Sequence, residues 1–200
     1  VVASPDKQVS RNDARRPAPA KPTPADARRI ARRRVLAGQR IDMRALASEL
    51  GVSRATLYRW TGPREQLLGE VFGTLALQTF EQCKREARGT GATRVINVFD
   101  RHLALVAKSP ALRRFLETDA ESALRVLTRR DGPVQAPLVH AHTELLREEA
   151  ERGNYTPRVD PAALAYAIVR IGEAFLYNDA IIALEPNLEQ AGAIVRLLLD

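Results

Sequence analysis

From Ala27 onward, apolar residues recur three and four positions apart, and no alternating apolar and polar run interrupts them. That spacing lines one stripe of an α-helix, whereas one face of a strand needs a period of two, so the chain is restricted to an all-α fold. Glycine and proline clusters cut the pattern into separate helices, at Gly51-Val52-Ser53, Thr61-Gly62-Pro63, Gly89-Thr90-Gly91, Ser109-Pro110, Asp131-Gly132-Pro133, Gly153-Asn154 and Glu185-Pro186-Asn187. Residues 1–24 hold five of the twelve prolines and almost no large apolar side chains, which predicts a disordered basic tail.

Thr23-Pro24-Ala25-Asp26 reads as a helix start: a hydroxyl N-cap, proline at the first helical position, and a carboxylate near the positive end of the helix dipole. The first helix is predicted to reach about Ala37, with Ala27, Ile30, Ala31 and Val35 on one face and Arg28, Arg29, Arg32 and Arg33 on the other. Gly38 stops it. Asp42 is placed to cap a second helix, in which Met43, Leu46, Ala47 and Leu50 form an i, i+3, i+4, i+7 stripe. Gly51 allows a tight left-handed turn, Val52 plugs the angle between helices, and Ser53 caps a third helix from Arg54 to about Trp60. Two short helices joined in this way form a helix-turn-helix. A fourth helix follows Pro63 and is predicted to carry Leu67, Leu68, Val71, Phe72, Leu75 and Leu77 to about Cys83.

The formal net charge of +7 is unevenly spread. Residues 1–60 carry 14 Lys and Arg against 5 Asp and Glu, or +9, which leaves 17 against 19, or −2, for residues 61–200. A basic segment on a mildly acidic remainder is the electrostatic footprint of a partner such as nucleic acid or an anionic surface.

Several function classes are set aside. The longest apolar run, Ala162–Val169, is far below the roughly 18 residues of a membrane span. No apolar leader with a cleavage site is visible, so the cytoplasm is the expected compartment. Cys83 is the single cysteine and can form neither an internal disulfide nor a cysteine-based zinc site. His140 and His142 are two apart, hence on different helix faces, and His102 is isolated, so no histidine metal site is expected. No nucleophile elbow or Walker loop is present, and Gly89-x-Gly91 lacks a third glycine. Neither an enzyme nor a cofactor or metal is expected.

The run Leu46-Ala47-Ser48-Glu49-Leu50-Gly51-Val52-Ser53-Arg54-Ala55-Thr56-Leu57-Tyr58-Arg59-Trp60, followed by Arg64-Glu65-Gln66-Leu67-Leu68, resembles the DNA-binding domain of TetR-family transcriptional regulators. The resemblance covers about residues 25–72. It departs at Thr61-Gly62-Pro63, where family members usually carry Phe-Pro-Ser, and Trp60 is the candidate replacement for the missing aromatic plug. The resemblance implies a homodimer on a double-stranded operator, expected to be an inverted repeat, with a helical ligand-sensing and dimerisation domain over 73–200. Arg44, Ser53, Arg54, Ala55, Thr56, Tyr58, Arg59, Trp60 and Arg64 are the candidate DNA-binding residues. Their chemistry suits DNA, since hydroxyls donate to phosphates and arginines reach phosphates or guanine edges.

Farther on, Arg170-Ile171-Gly172-Glu173-Ala174-Phe175-Leu176-Tyr177 and Glu185-Pro186-Asn187-Leu188 look like the subgroup that includes regulators of quorum-signal degradation. This resemblance implies a repressor released by a small molecule, such as a lactone or acyl signal. Residues 160–184 are apolar nearly all round and need cover on both sides, which predicts a helix that pairs with Leu188–Leu199 to supply half of an intermolecular four-helix bundle. Asn97, Phe99, Leu103, Phe115, Tyr166, Arg170, Glu173 and Tyr177 are the candidate ligand-binding residues. Arg170 and Glu173, three apart, could equally pair with each other. A ligand-independent helical DNA-binding, nucleoid or scaffold protein is the alternative function.

Overall fold

A computed structural model describes residues 21–178 and 185–200. Nearly all of the expected N-terminal tail, and residues 179–184 of the helix expected over 160–184, lie outside the described residues.

The first helix, α1 (Pro24–Leu36), opens on a capping box in which the Asp26 amide donates to Thr23 Oγ1 at 3.3 Å and the Thr23 amide donates to Asp26 Oδ2 at 2.9 Å. Next, α2 (Met43–Glu49) is capped by Asp42, whose carboxylate accepts from the amides of Arg44 and Ala45. It ends in a Schellman turn: the Gly51 amide donates to the Ser48 carbonyl and the Val52 amide to that of Ala47. Gly51 has φ +65°, which a residue with a Cβ adopts only under strain. The chain then enters α3 (Arg54–Thr61), one residue longer than expected, and α4 (Arg64–Glu86), which passes Cys83 and runs unbroken through residue 72.

The remainder is α5 (Gly91–Ala107), α6 (Pro110–Thr118), α7 (Ala120–Leu127), α8 (Gln135–Glu151), α9 (Pro161–Glu173) and α10 (Leu188–Leu199). Asp119 separates α6 from α7 and caps the latter, a break that no glycine or proline marks. The π-turn Ala174–Asn178 continues α9, so the helix expected from residue 160 onward does not stay regular. Among the described residues there is no strand, and no helix is long and apolar enough to cross a membrane.

One apolar core runs from Ala27 in α1 to Leu199 in α10. The helix α8 packs along α9, and α5 lies between α4 and α10. Phe72 of α4 stacks on Phe115 of α6, with ring centroids 5.1 Å apart. At the base of α5, Glu149 is fully buried and accepts from the Gly91 amide (2.7 Å), Arg94 (2.6 Å), Arg152 (2.8 Å) and Asn154 (3.1 Å). Burial raises the carboxyl's pKa, but these donors outweigh it and hold the group at about 2.

Candidate functional site

Ser53 starts α3 by accepting the Thr56 amide at 3.1 Å, and its hydroxyl lies 2.9 Å from that of Thr56. Leu57 and Thr61 are buried, which fixes the rotation of the helix. That rotation exposes Arg54, Ala55, Tyr58 and Arg59, with Tyr58 41% accessible, while Thr56 is half-buried. Arg44 is exposed on α2.

Ion pairing divides the basic residues in two. On α1, Arg28 pairs with Glu70 at 2.7 Å, Arg29 with Asp26 at 2.7 Å, and Arg33 and Arg34 with Glu49, while Arg32 donates to Gln78. Three carboxylates thus offset three of the five arginine charges of α1, Glu49 being brought by α2 and Glu70 by α4, while Asp26 belongs to α1 itself. Arg44, Arg54 and Arg59 are exposed and make no ion pair among the described residues. Within the helix-turn-helix, α2 and α3 thus present positive charge that no ion pair among the described residues offsets.

Two expected DNA contacts sit differently. Trp60 is half-buried against the core, and its carbonyl accepts from Arg28 at 3.3 Å, so the indole packs as a plug while Tyr58 and Arg59 project. Arg64 turns inward: its Nε donates to the Ile41 carbonyl at 3.1 Å, and its guanidinium pairs with Asp119 at 3.3 Å. It ties the start of α4 to the α6–α7 corner.

Four of the eight expected ligand residues converge. Phe99, Leu103, Glu173 and Tyr177 line a cavity of about 50 Å³, together with Ala76, His102, Leu138, His142 and Leu176. A neighbouring cavity of about 80 Å³ shares Ala76, Val106 and Tyr177. The π-turn supplies Leu176 and Tyr177, and such wide turns recur at functional sites.

The other four do not reach it. Asn97 is exposed and donates to the Arg88 carbonyl. Phe115 lines a separate cleft with Arg64 and Asp119. Tyr166 is 37% exposed beneath Arg130, whose guanidinium lies 5.5 Å from the ring centroid. Arg170 is exposed and pairs with Glu173 at 2.8 Å, the local alternative. Helical position alone does not say whether a polar residue turns inward or outward, and packing against α8 and α5 decides it here.

Glu173 accepts from Gln135 Nε2 through both oxygens at 3.0 Å, and its burial raises the carboxyl's pKa. Burial likewise pushes Tyr177 upward, aided by the nearby Glu173 charge. Two residues were missed. His102 Nε2–H donates to the Ala76 carbonyl at 3.2 Å, and His142 Nδ1–H to that of Leu138 at 2.9 Å. Both rings flank Phe80, at 5.7 and 4.7 Å between centroids. Burial lowers their pKa values to about 3 and 4, with the neighbouring His142 also lowering that of His102, so both are neutral near pH 7. The signal for His142 was in the sequence: Leu138, His142, Leu145 and Glu149 share one stripe of α8, all buried, whereas His140 is exposed. Among the described residues no His, Cys, Asp and Glu group is arranged to hold a metal ion.

The cavity and α3 are joined by α4. Ala76 forms part of the cavity wall, while Gly69 and Gly73, about two turns and one turn earlier, meet Pro133. Pro133 lies two residues before Gln135, the partner of Glu173.

Residues 90–200 match the family described as "Tetracyclin repressor-like, C-terminal domain". Comparison with curated proteins finds no match. Among solved structures, the R. erythropolis transcriptional repressor QsdR from the TetR family is 30% identical over 88% of this chain and 93% of that one, with a TM-score of 0.83. Two others share the fold alone. The TetR family repressor AlkX from Dietzia sp. strain DQ12-45-1b is 19% identical over 90% of this chain and 100% of its own, with a TM-score of 0.57. FadR from Bacillus subtilis, in complex with stearoyl-CoA, is 14% identical over 87% and 96%, with a TM-score of 0.53. With more than half of its length matched by the family and the repressor's architecture shared over most of both chains, the chain belongs to the TetR family of DNA-binding transcriptional regulators, which are not enzymes.

Proposed function

We propose that this chain is a cytoplasmic homodimeric repressor that binds an inverted-repeat operator through residues 25–72 and is released when a small molecule occupies the 73–200 part. The carrying observation is the course of α4. One helix of 23 residues starts at the end of the reading head, passes Pro133 at Gly69 and Gly73, and walls the cavity at Ala76. A ligand that moves Glu173 or Tyr177 acts on Gln135 and the Pro133 loop, and a displaced Pro133 tilts α4.

Tilt matters because paired recognition helices must sit about one DNA turn apart, roughly 34 to 36 Å or a multiple. Arg54, Ala55, Tyr58 and Arg59 then face the major groove, with Ser53, Thr56 and Arg44 directed to backbone phosphates. Repression is the sense named for QsdR, and its resemblance extends to this chain's cavity-bearing half. A lactone or acyl signal suits the apolar lining.

Release requires unequal affinity for two conformations. Calorimetry with and without operator tests it: the effector must bind more weakly to the DNA-bound protein, by the same factor that it weakens DNA binding. An affinity unchanged by operator would leave a ligand-independent DNA-binding protein.

A further inference from the structure

Hydrogen-bond acceptors outnumber donors among the polar groups of this cavity, where the Tyr177 hydroxyl is the donor that remains. A carbonyl oxygen only accepts, so the 2.9 Å contact with Leu138 places the proton of neutral His142 on Nδ1. Its Nε2 is then a bare acceptor. That atom is buried, in a side chain 2% exposed that lines the cavity, and has no partner among the described residues. His102 spends its Nε2–H on the Ala76 carbonyl, which leaves its Nδ1 as the acceptor of that ring. Glu173, already accepting from Gln135 and Arg170, adds a carboxylate to the same lining. Leaving a buried acceptor unpaired is costly, and apart from the Tyr177 hydroxyl the rest of the wall is apolar.

We propose that this cavity takes an uncharged, mostly apolar ligand whose N–H or O–H donates a hydrogen bond to His142 Nε2. Glu173 selects against anionic ligands, because a second carboxylate beside it would be buried with no cation of its own. The ligand class is thus neutral amides or alcohols rather than fatty acid anions, and a lactone belongs to it only where it also carries an N–H or O–H. The inference rests on the effector-sensing reading for its location and adds the polarity of the ligand.

The test uses the full chain with 15N-labelled histidine near neutral pH and three probes of one chain length: hexanamide, which donates; methyl hexanoate, which does not; and hexanoate, which is anionic. Hexanamide is expected to bind about tenfold more tightly than the ester, the value of one hydrogen bond to an otherwise unpaired acceptor. Hexanoate binds most weakly, and only hexanamide shifts the His142 Nε2 resonance. In His142→Phe, which keeps a ring against Phe80, the preference for amide over ester disappears.

Equal affinities in the native protein, a preference that survives in His142→Phe, an unmoved Nε2 resonance, or no binding by any probe overturns the proposal. The resonance is read in the native protein, so the test stands even if the variant fails to fold. Operator binding is scored separately. Hexanamide bound through His142 with no effect on operator affinity upholds the donor requirement and removes the sensor reading.

Discussion

The backbone carbonyl of Pro133 lies against Gly73 so closely that a Cβ there would come nearer than the 3.0 Å that real Cβ atoms keep. A backbone atom cannot swing aside as a side chain can, so this contact fixes the separation of α4 from the loop that leads to Gln135. Gly73→Ala is expected to destabilise the fold by about 1–3 kcal/mol through overpacking, read as a lower urea midpoint, and to weaken the linkage between effector and operator. Gly51→Ala isolates the other reason for a glycine. At Gly51 a Cβ has open space, and the expected loss of about 1–2 kcal/mol comes from the left-handed backbone alone.

Arg54→Ala should cost operator binding about 1–3 kcal/mol and relax specificity at one base, whereas Tyr58→Phe should lower affinity evenly across sequences. Fluorescence anisotropy at several salt concentrations separates contact types, since each neutralised phosphate contributes about −0.9 to the log-log slope. Arg64→Ala is the control. Because Arg64 is bound to Asp119 and Ile41, its loss should lower stability and leave the slope unchanged.

Acid should weaken the fold in two stages. His102 and His142 have folded pKa values of about 3 and 4, below the ordinary 6.5. The unfolded chain therefore takes up protons first, and stability present above about pH 6.5 is lost as pH falls toward 4 and 3. Glu149, lowered to about 2 from 4.5, adds stability that persists above pH 4.5 and is lost toward pH 2. Glu173, raised by burial, opposes these trends through its own titration. Urea midpoints measured at stepped pH should show the first stage reduced in His142→Phe and retained in Glu149→Gln.

Sedimentation at micromolar concentration should give a dimer. On α10, Leu197 is 76% exposed, and on the adjoining α9 Tyr166 is 37% exposed among Ala162, Ala163 and Arg170. A two-fold bundle of these helices covers that surface. The double substitution Tyr166→Asp and Leu197→Asp should yield a folded monomer with weakened operator affinity.

The local events of this fold were legible along the chain. The Thr23 and Asp42 caps, the Gly51 turn, the Ser53 cap and the apolar stripe of α2 each depend on residues within one or two turns of each other, so sequence spacing alone specifies them. What the tertiary structure decided are pairings across long stretches of chain. Arg28 pairs with Glu70 and Arg33 with Glu49, which offsets part of a basic block that the sequence presented undivided, and Arg64 is drawn to Asp119. The cavity has the same origin: α5, α8, the end of α9 and the π-turn after it bring His102, His142, Glu173 and Tyr177 together, and dismiss Asn97, Phe115 and Tyr166. A helix period shows which residues share a stripe, but the rotation of each helix and the partner it meets are set by packing the whole core.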